Sequence, residues 1–179
     1  RVIDANTNTS GNESGWQEFG AIGNVDFEIR TKIPVIIVPG ILGSELVLDN
    51  EPAGSDEVVW PPSAINLVLP SGLYTLDVNP LTDESVHSVG IDTNELHGDI
   101  LRDGINNTYG DLINFLTRNS YTEGVNLFTF PYDWRLDNRK AADQLKHFIN
   151  SLGVEKVDIV SHSMGGLVTR SYVARNGSD

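Results

Sequence analysis

Apolar residues recur along this chain with two different spacings, and their alternation outlines a layered α/β domain. Ile33-Pro34-Val35-Ile36-Ile37-Val38 is a continuous apolar run of the kind buried on both faces of a parallel sheet. Val125 to Phe130 predicts a second core strand, and Val157, Ile159 and Val160 predict a third, short and buried. Helical spacing joins Tyr109, Leu112, Ile113 and Leu116, with Asn107 or Thr108 as cap and a stop near Asn119. Asp137 caps a second helix with the stripe Ala141, Leu145, Phe148, Ile149 and Leu152, ended by Gly153. Leu167, Val168, Tyr172 and Arg175 mark a third, closed by Asn176-Gly177. The order strand, long insertion, helix, strand, helix, strand, helix predicts a parallel sheet with right-handed crossovers and helices on both faces. With the third strand beside the first, one side of the sheet becomes an exposed parallel edge.

The remaining stretches lack this regularity. Residues 1–15 are polar and aperiodic and read as an arm or linker. Trp16, Phe19, Ile22, Val25, Phe27 and Ile29 are apolar enough to lie back on the domain, with an edge hairpin around Gly23-Asn24. Residues 45–106 form a long, weakly patterned insertion, and insertions of that length are usually lids, caps or binding segments. Inside it, Val58-Val59-Trp60-Pro61-Pro62 and Ile65 to Pro70 carry almost no charge. Two readings stand side by side: an acyl-chain wall or interfacial patch, and a short helix packed on the core.

Charge narrows the function classes. A net charge of −13 leaves no basic patch with which to release counterions from a phosphate backbone, so nucleic acid is not an expected partner. No run of about 18 apolar residues is present, so any membrane contact would be peripheral. The chain has no cysteine, which removes disulfides and thiolate metal sites. Asp77, Asn79, Asp83, Asp92, Asn94 and Asp99 with His87 and His97 invite a metal, but neither DVNPLTDE nor DTNELHGD has the glycine a calcium loop requires. A solvated acidic surface is expected there, and no metal. The only methionine is Met164, so residue 1 reads as a processed terminus or a point inside a longer polypeptide; with the polar arm and the acidic charge, this favours a secreted or cell-surface setting.

Lys156 to Gly166, KVDIVSHSMGG, holds the chemistry. A strand, a sharp turn and a helix follow one another with Ser163 at the tip, and small residues stand where strand and helix cross: Ser161 before it, Gly165 and Gly166 after. This is the nucleophile elbow of an α/β-hydrolase, with Ser161 in place of the commoner glycine. The elbow lifts the Ser163 hydroxyl clear of the sheet and aims the Met164 N–H, at a helix start, toward a developing oxyanion. The plainer alternative is a strand-to-helix turn with a capping serine. After the first strand, Pro39-Gly40-Ile41-Leu42-Gly43-Ser44 is a glycine-bracketed loop able to approach a ligand with its backbone, and the Ile41 N–H is the expected second oxyanion donor.

Three stretches together, PVIIVPGILGSEL, FPYDWRLDNRK and VSHSMGGLV, resemble the lecithin:cholesterol acyltransferase family, whose lysosomal relative is a phospholipase A2 with transacylase activity. The likeness runs from about Ile33 to Asn176, and PYDWR is its most specific part. It implies an α/β-hydrolase fold with residues 45–106 as lid or cap, Ser163 as nucleophile, and the N–H groups of Ile41 and Met164 as oxyanion hole. Trp60 and Leu42 would bind a lipid ester substrate at an acyl pocket or membrane interface, with no cofactor. Asp133 and Arg135 read as a structural ion pair that shapes the floor of the site, and Tyr132 and Trp134 as packing.

Family members take their catalytic aspartate and histidine, in that order, from loops after later strands, whereas here 16 residues follow Ser163. None of the four histidines is a good base. His162 adjoins the nucleophile and should point away from it, His147 lies on the polar side of a helix, and His87 and His97 precede the elbow. Asp158 reads as a structural partner. Residues 16–179 are therefore expected to be the N-terminal part of a hydrolase domain, inactive and poorly stable without the remainder.

Overall fold

The computed structural model describes residues 32–48, 57–61, 76–91, 100–102 and 108–177, all within the unit Lys32–Asp179. The polar arm, the apolar residues 16–29 with their hairpin, residues 62–70 and His97 lie outside the described residues. Eight strands and three helices are seen among those described: β1 (Val35–Val38), β2 (Leu46–Leu48), β3 (Glu57–Trp60), β4 (Val78–Asn79), β5 (Glu84–Ser85), β6 (Val89–Gly90), α1 (Thr108–Arg118), β7 (Leu127–Thr129), α2 (Asn138–Ser151), β8 (Asp158–Ser161) and α3 (Met164–Asn176).

The principal sheet is parallel, in the order β7-β1-β8. All four residues of β1 are buried because both faces of this central strand are covered. Ile36 and Val38 face a cluster with Ala142 and Leu145 of α2 and Val168 of α3. Val35 and Ile37 face Tyr109 and Ile113 of α1, with Ile100 and Leu127. The alternation of a strand thus sends successive residues into two cores, each closed by the stripe of an amphipathic helix. Asp137 caps α2 by accepting from the Arg139 N–H, and Gly153, at φ 64°, takes the left-handed turn beyond its end.

Two expectations are corrected here. The third strand is only half buried: Ile159 packs on the α2 and α3 core, while Asp158 and Val160 are exposed. The cause is position, since β8 pairs with β1 alone among the described residues and α1 covers the β1 and β7 side of the sheet. Among the described residues β8 is one of the two edges of this sheet, with β7 the other. Val58 to Trp60, for which a short helix packed on the core was one of two readings, lie instead in a strand of a second, antiparallel sheet ordered β3-β2-β6. Leu46, Val59 and Val89 form its core, with Trp60 and Trp134 against them. The return from the insertion also contributes to the main core. Ile100 is 1% exposed, bridges Ser44, and is followed by a Leu101 N–H donating to the Gly43 carbonyl at 3.0 Å.

Candidate active site

The elbow is built by continuing a strand until it cannot continue. β8 runs in register with β1 through Val38 and Ser161, and the His162 N–H still reaches the Val38 carbonyl at 3.0 Å. The chain then reverses at Ser163, with φ 51° and ψ −123°, in a region that residues bearing a Cβ rarely enter. α3 starts at once: Gly165 N–H donates to the His162 carbonyl and Gly166 N–H to that of Ser163, both at 2.9 Å. Although Ser163 occupies the cap position, its side chain makes no capping hydrogen bond, which departs from the capping-serine alternative. Gly165 is required by packing, since a Cβ there would stand 2.3 Å from the Pro39 carbonyl oxygen and 2.5 Å from that of Val38. Gly166 faces open space, so its grouping with Gly165 is corrected. Ser161 holds the crossing differently, through a 2.6 Å hydrogen bond between its hydroxyl and that of Thr169.

The loop after β1 presses directly on this turn. A Cβ on Gly40 would lie 2.9 Å from the Ser163 Cβ and 3.1 Å from His162 Nδ1, so only glycine permits the approach. The loop closes with Gly43 N–H donating to the Gly40 carbonyl at 3.0 Å, and Leu42 takes φ 63° to allow it. Neither the Ile41 N–H nor the Met164 N–H donates to another described residue.

Neighbouring elements fix almost every other polar group of this loop. Tyr132 donates its hydroxyl to the Pro39 carbonyl at 3.0 Å, and the Gly40 N–H donates to the Tyr109 hydroxyl at 2.7 Å. The same Tyr109 oxygen lies 2.9 Å from His162 Nδ1. Trp60 Nε1 donates to the Leu42 carbonyl at 3.0 Å, Tyr132 N–H to Ser44 Oγ at 3.0 Å, and Trp134 Nε1 to the Ser44 carbonyl at 3.2 Å. Burial pushes both tyrosine hydroxyls up from their ordinary value.

The PYDWR stretch explains much of this bracing. Asp133 and Arg135 form a two-point ion pair, Nε to Oδ1 at 2.9 Å and Nη2 to Oδ2 at 2.6 Å, with side chains 10% and 4% exposed. Arg135 Nη2 also reaches the Val89 carbonyl at 2.9 Å and Ser85 Oγ at 3.3 Å. The pair is structural, as the resemblance implied, and its further partners lie on β5 and β6 of the insertion. Trp134 meets Trp60 edge-on at 5.5 Å, and Tyr132, 1% exposed, packs on Phe130 while its hydroxyl holds the Pro39 carbonyl.

The family profile for lecithin:cholesterol acyltransferase matches residues 92–179, the part that holds PYDWR and the elbow. Similarity extends upstream through the loop after β1 in two proteins of Arabidopsis thaliana. Lecithin-cholesterol acyltransferase-like 4 is 29% identical over 164 residues, covering 78% of this chain and 30% of its own length. Phospholipase A(1) LCAT3 is 30% identical over 169 residues, covering 82% of this chain and 38% of its own. The chain belongs to the lecithin:cholesterol acyltransferase family. It spans 30% and 38% of the length of these two relatives, respectively.

Within this family member the histidines lie as follows. His162 turns its Nδ1 to Tyr109, away from a role beside Ser163. His147 Nδ1 lies 2.7 Å from the Asp143 carbonyl on the exposed side of α2, and His87 is exposed in the insertion. Asp158 has an exposed side chain, and its N–H donates to the Pro34 carbonyl at 2.8 Å. No group of three His, Asp or Glu among the described residues could hold a metal ion. Asp83, read as part of a solvated acidic surface, instead accepts from the Asp137 N–H at 3.0 Å and pairs with Lys140 at 3.2 Å, tying the insertion to the start of α2. Sequence reasoning missed Tyr109 and Ser44 as braces of the loop. Tyr109 sits in an apolar stripe where a hydroxyl leaves no mark, and Ser44, fully buried, could have been found as the one polar side chain in an apolar stretch.

Proposed function

We propose that this chain supplies the nucleophile and the oxyanion hole of a serine acyl hydrolase or O-acyltransferase acting on lipid carboxyl esters. The observation that carries the reading is the strained backbone of Ser163 between β8 and α3, with the Gly40 turn packed against it. Such a turn exposes a hydroxyl at the end of a parallel sheet, and the N–H groups of Ile41 and Met164 are read as its oxyanion donors. Ser163 Oγ attacks the ester carbonyl as a general base takes its proton, and the tetrahedral oxyanion sits between the two N–H groups. The alcohol leaves with a proton, and water or an acceptor alcohol then takes the acyl group from the serine. The base and its acid partner are assigned to residues outside this sequence, since His162 turns to Tyr109 and His147 to its own helix. No cofactor enters.

In this reading the parallel strands are part of an α/β-hydrolase sheet and residues 45–106 form its lid or cap. Leu42, 40% exposed beside Ile41, and Trp60, which holds the Leu42 carbonyl, border the acyl chain. No helix among the described residues is long and apolar enough to cross a membrane, and contact with lipid is read as peripheral.

A second reading, a lipid-binding module that kept the elbow without catalysis, draws on the placement of His162 and His147. Treating the full-length protein with a fluorophosphonate and mapping the adduct separates the two. One phosphonyl group on Ser163, lost in Ser163→Ala, is the expected result; a folded protein that binds lipid vesicles yet takes up no phosphonyl group would establish the module. Adding an alcohol acceptor and looking for a new ester then distinguishes acyl transfer from hydrolysis.

A further inference from the structure

The carbonyl of Pro39 and the N–H of Gly40 are the two edges of one peptide plane. Each is held by a tyrosine hydroxyl from a different element: Tyr132, after β7, donates to the carbonyl at 3.0 Å, and Tyr109, on α1, accepts from the N–H at 2.7 Å. The next peptide along carries the Ile41 N–H. Rotation of the clamped plane about its flanking bonds would swing that N–H, so its direction depends on both hydroxyls. Tyr109 does more than its counterpart. The same hydroxyl is also hydrogen-bonded to His162 Nδ1, 2.9 Å away and one residue before Ser163. A single buried oxygen therefore touches both the loop and the elbow.

We propose that Tyr109 is a positioning residue that sets the gap between the Ile41 N–H and Ser163, acting with Tyr132 through the Pro39–Gly40 peptide plane. The inference rests on the assignment of Ser163 as nucleophile and of the Ile41 N–H as oxyanion donor. The relationship is specific to the hydroxyls. Phenylalanine at either place would keep the ring that packs against Ile113 or Phe130 while releasing one edge of the peptide.

The test compares full-length wild type, Tyr109→Phe, Tyr132→Phe and the double variant, using a p-nitrophenyl acyl ester as substrate and fluorophosphonate titration to count competent sites. Per titrated site, Tyr109→Phe is expected to lower kcat by about ten- to a hundredfold with little change in KM, because an oxyanion donor a fraction of an ångström out of place weakens the transition state and not the ground state. Because both hydroxyls act on one peptide plane, the double variant should lose less than the product of the single losses. A purely structural tyrosine would reduce the number of titratable sites and leave kcat per site within about twofold of wild type, which would overturn the proposal. Losses that multiply would overturn the shared-plane mechanism. If Tyr109→Phe does not fold, Tyr132→Phe carries the same kcat-against-KM readout. Failure of wild type to take up phosphonate at Ser163 would instead remove the assignment on which the inference stands.

Discussion

Gly165 and Pro39 meet backbone to backbone: a Cβ on the glycine would stand 2.3 Å from the proline carbonyl oxygen, closer than any side chain can come. That contact lets the first turn of α3 cross the end of β1, and so brings the elbow and the glycine loop to one place. Gly166, its neighbour in sequence, meets nothing within 4 Å. The two glycines should therefore respond oppositely. Gly165→Ala is expected to cost about 3 kcal/mol or more, at or beyond the upper end of ordinary overpacking, because the obstructing atoms are backbone. Gly166→Ala is expected to be neutral or stabilising by up to about 1 kcal/mol, the usual gain in a helix. Urea unfolding of the full-length protein measures both.

Asp133 and Arg135 supply a different kind of constraint. Their pairing is nearly sealed from water, and the arginine also holds two groups of the insertion. Breaking such a pair leaves one charge buried without its partner. Asp133→Ala or Arg135→Ala is therefore expected to cost about 3–5 kcal/mol, whereas an apolar replacement of both residues should cost much less than the sum of the two. Denaturant unfolding of the two single variants and the double Asp133→Leu/Arg135→Met closes this comparison.

The strand, turn and helix around Ser163 were legible before any coordinates, and the reason is local. A strand of β-branched residues, a serine among small residues and a helix start are fixed by near neighbours, so KVDIVSHSMGG could be read as an elbow from its own letters. The same holds for β1, whose unbroken apolar run reports burial on both faces. What could not be read was long-range. Trp60 belongs to a strand because β2 pairs alongside it, with Leu46 opposite, and nothing in VVWPP distinguishes that from a helix. The half-exposure of Val160 follows from which strands flank β8, information carried by topology. Tyr109 braces a loop 69 residues away in sequence, and no spacing rule links the two.

The start of α2 offers a test in pH. The hydrogen bond from the Arg139 side chain, followed by that from the Arg139 backbone N–H, holds the Asp137 carboxyl down at about 2, below its ordinary 3.8. Because the folded-state value lies below the unfolded one, the ionised cap contributes stability that is fully present above about pH 4 and lost as pH falls toward 2. Asp137→Asn keeps a capping oxygen but removes the charge. Wild type should be the more stable above pH 4, and the difference between the two should shrink steadily from pH 4 to pH 2. A difference that stays constant across that interval would show that the charge contributes nothing. Thermal unfolding at a series of pH values provides the measurement.

Gly40 offers a test that separates activity from stability. Its missing Cβ is what allows the loop to touch Ser163, and the atoms a methyl would meet are the Ser163 Cβ at 2.9 Å, His162 Nδ1 at 3.1 Å and the His162 carbonyl oxygen at 3.2 Å. These belong to the elbow and not to the hydrophobic core, so Gly40→Ala can be accommodated by moving the loop outward by a few tenths of an ångström. The stability cost of such a shift should stay within about 1–3 kcal/mol, while the widened gap between Ile41 and Ser163 should lower kcat by about a hundredfold. Gly165→Ala, which moves the elbow helix itself, should instead lose stability and activity together. Measuring kcat and unfolding free energy on both variants therefore asks whether the loop's approach to the serine serves catalysis: an alanine at position 40 that unfolds the protein while leaving the residual folded fraction fully active would assign that contact to folding alone.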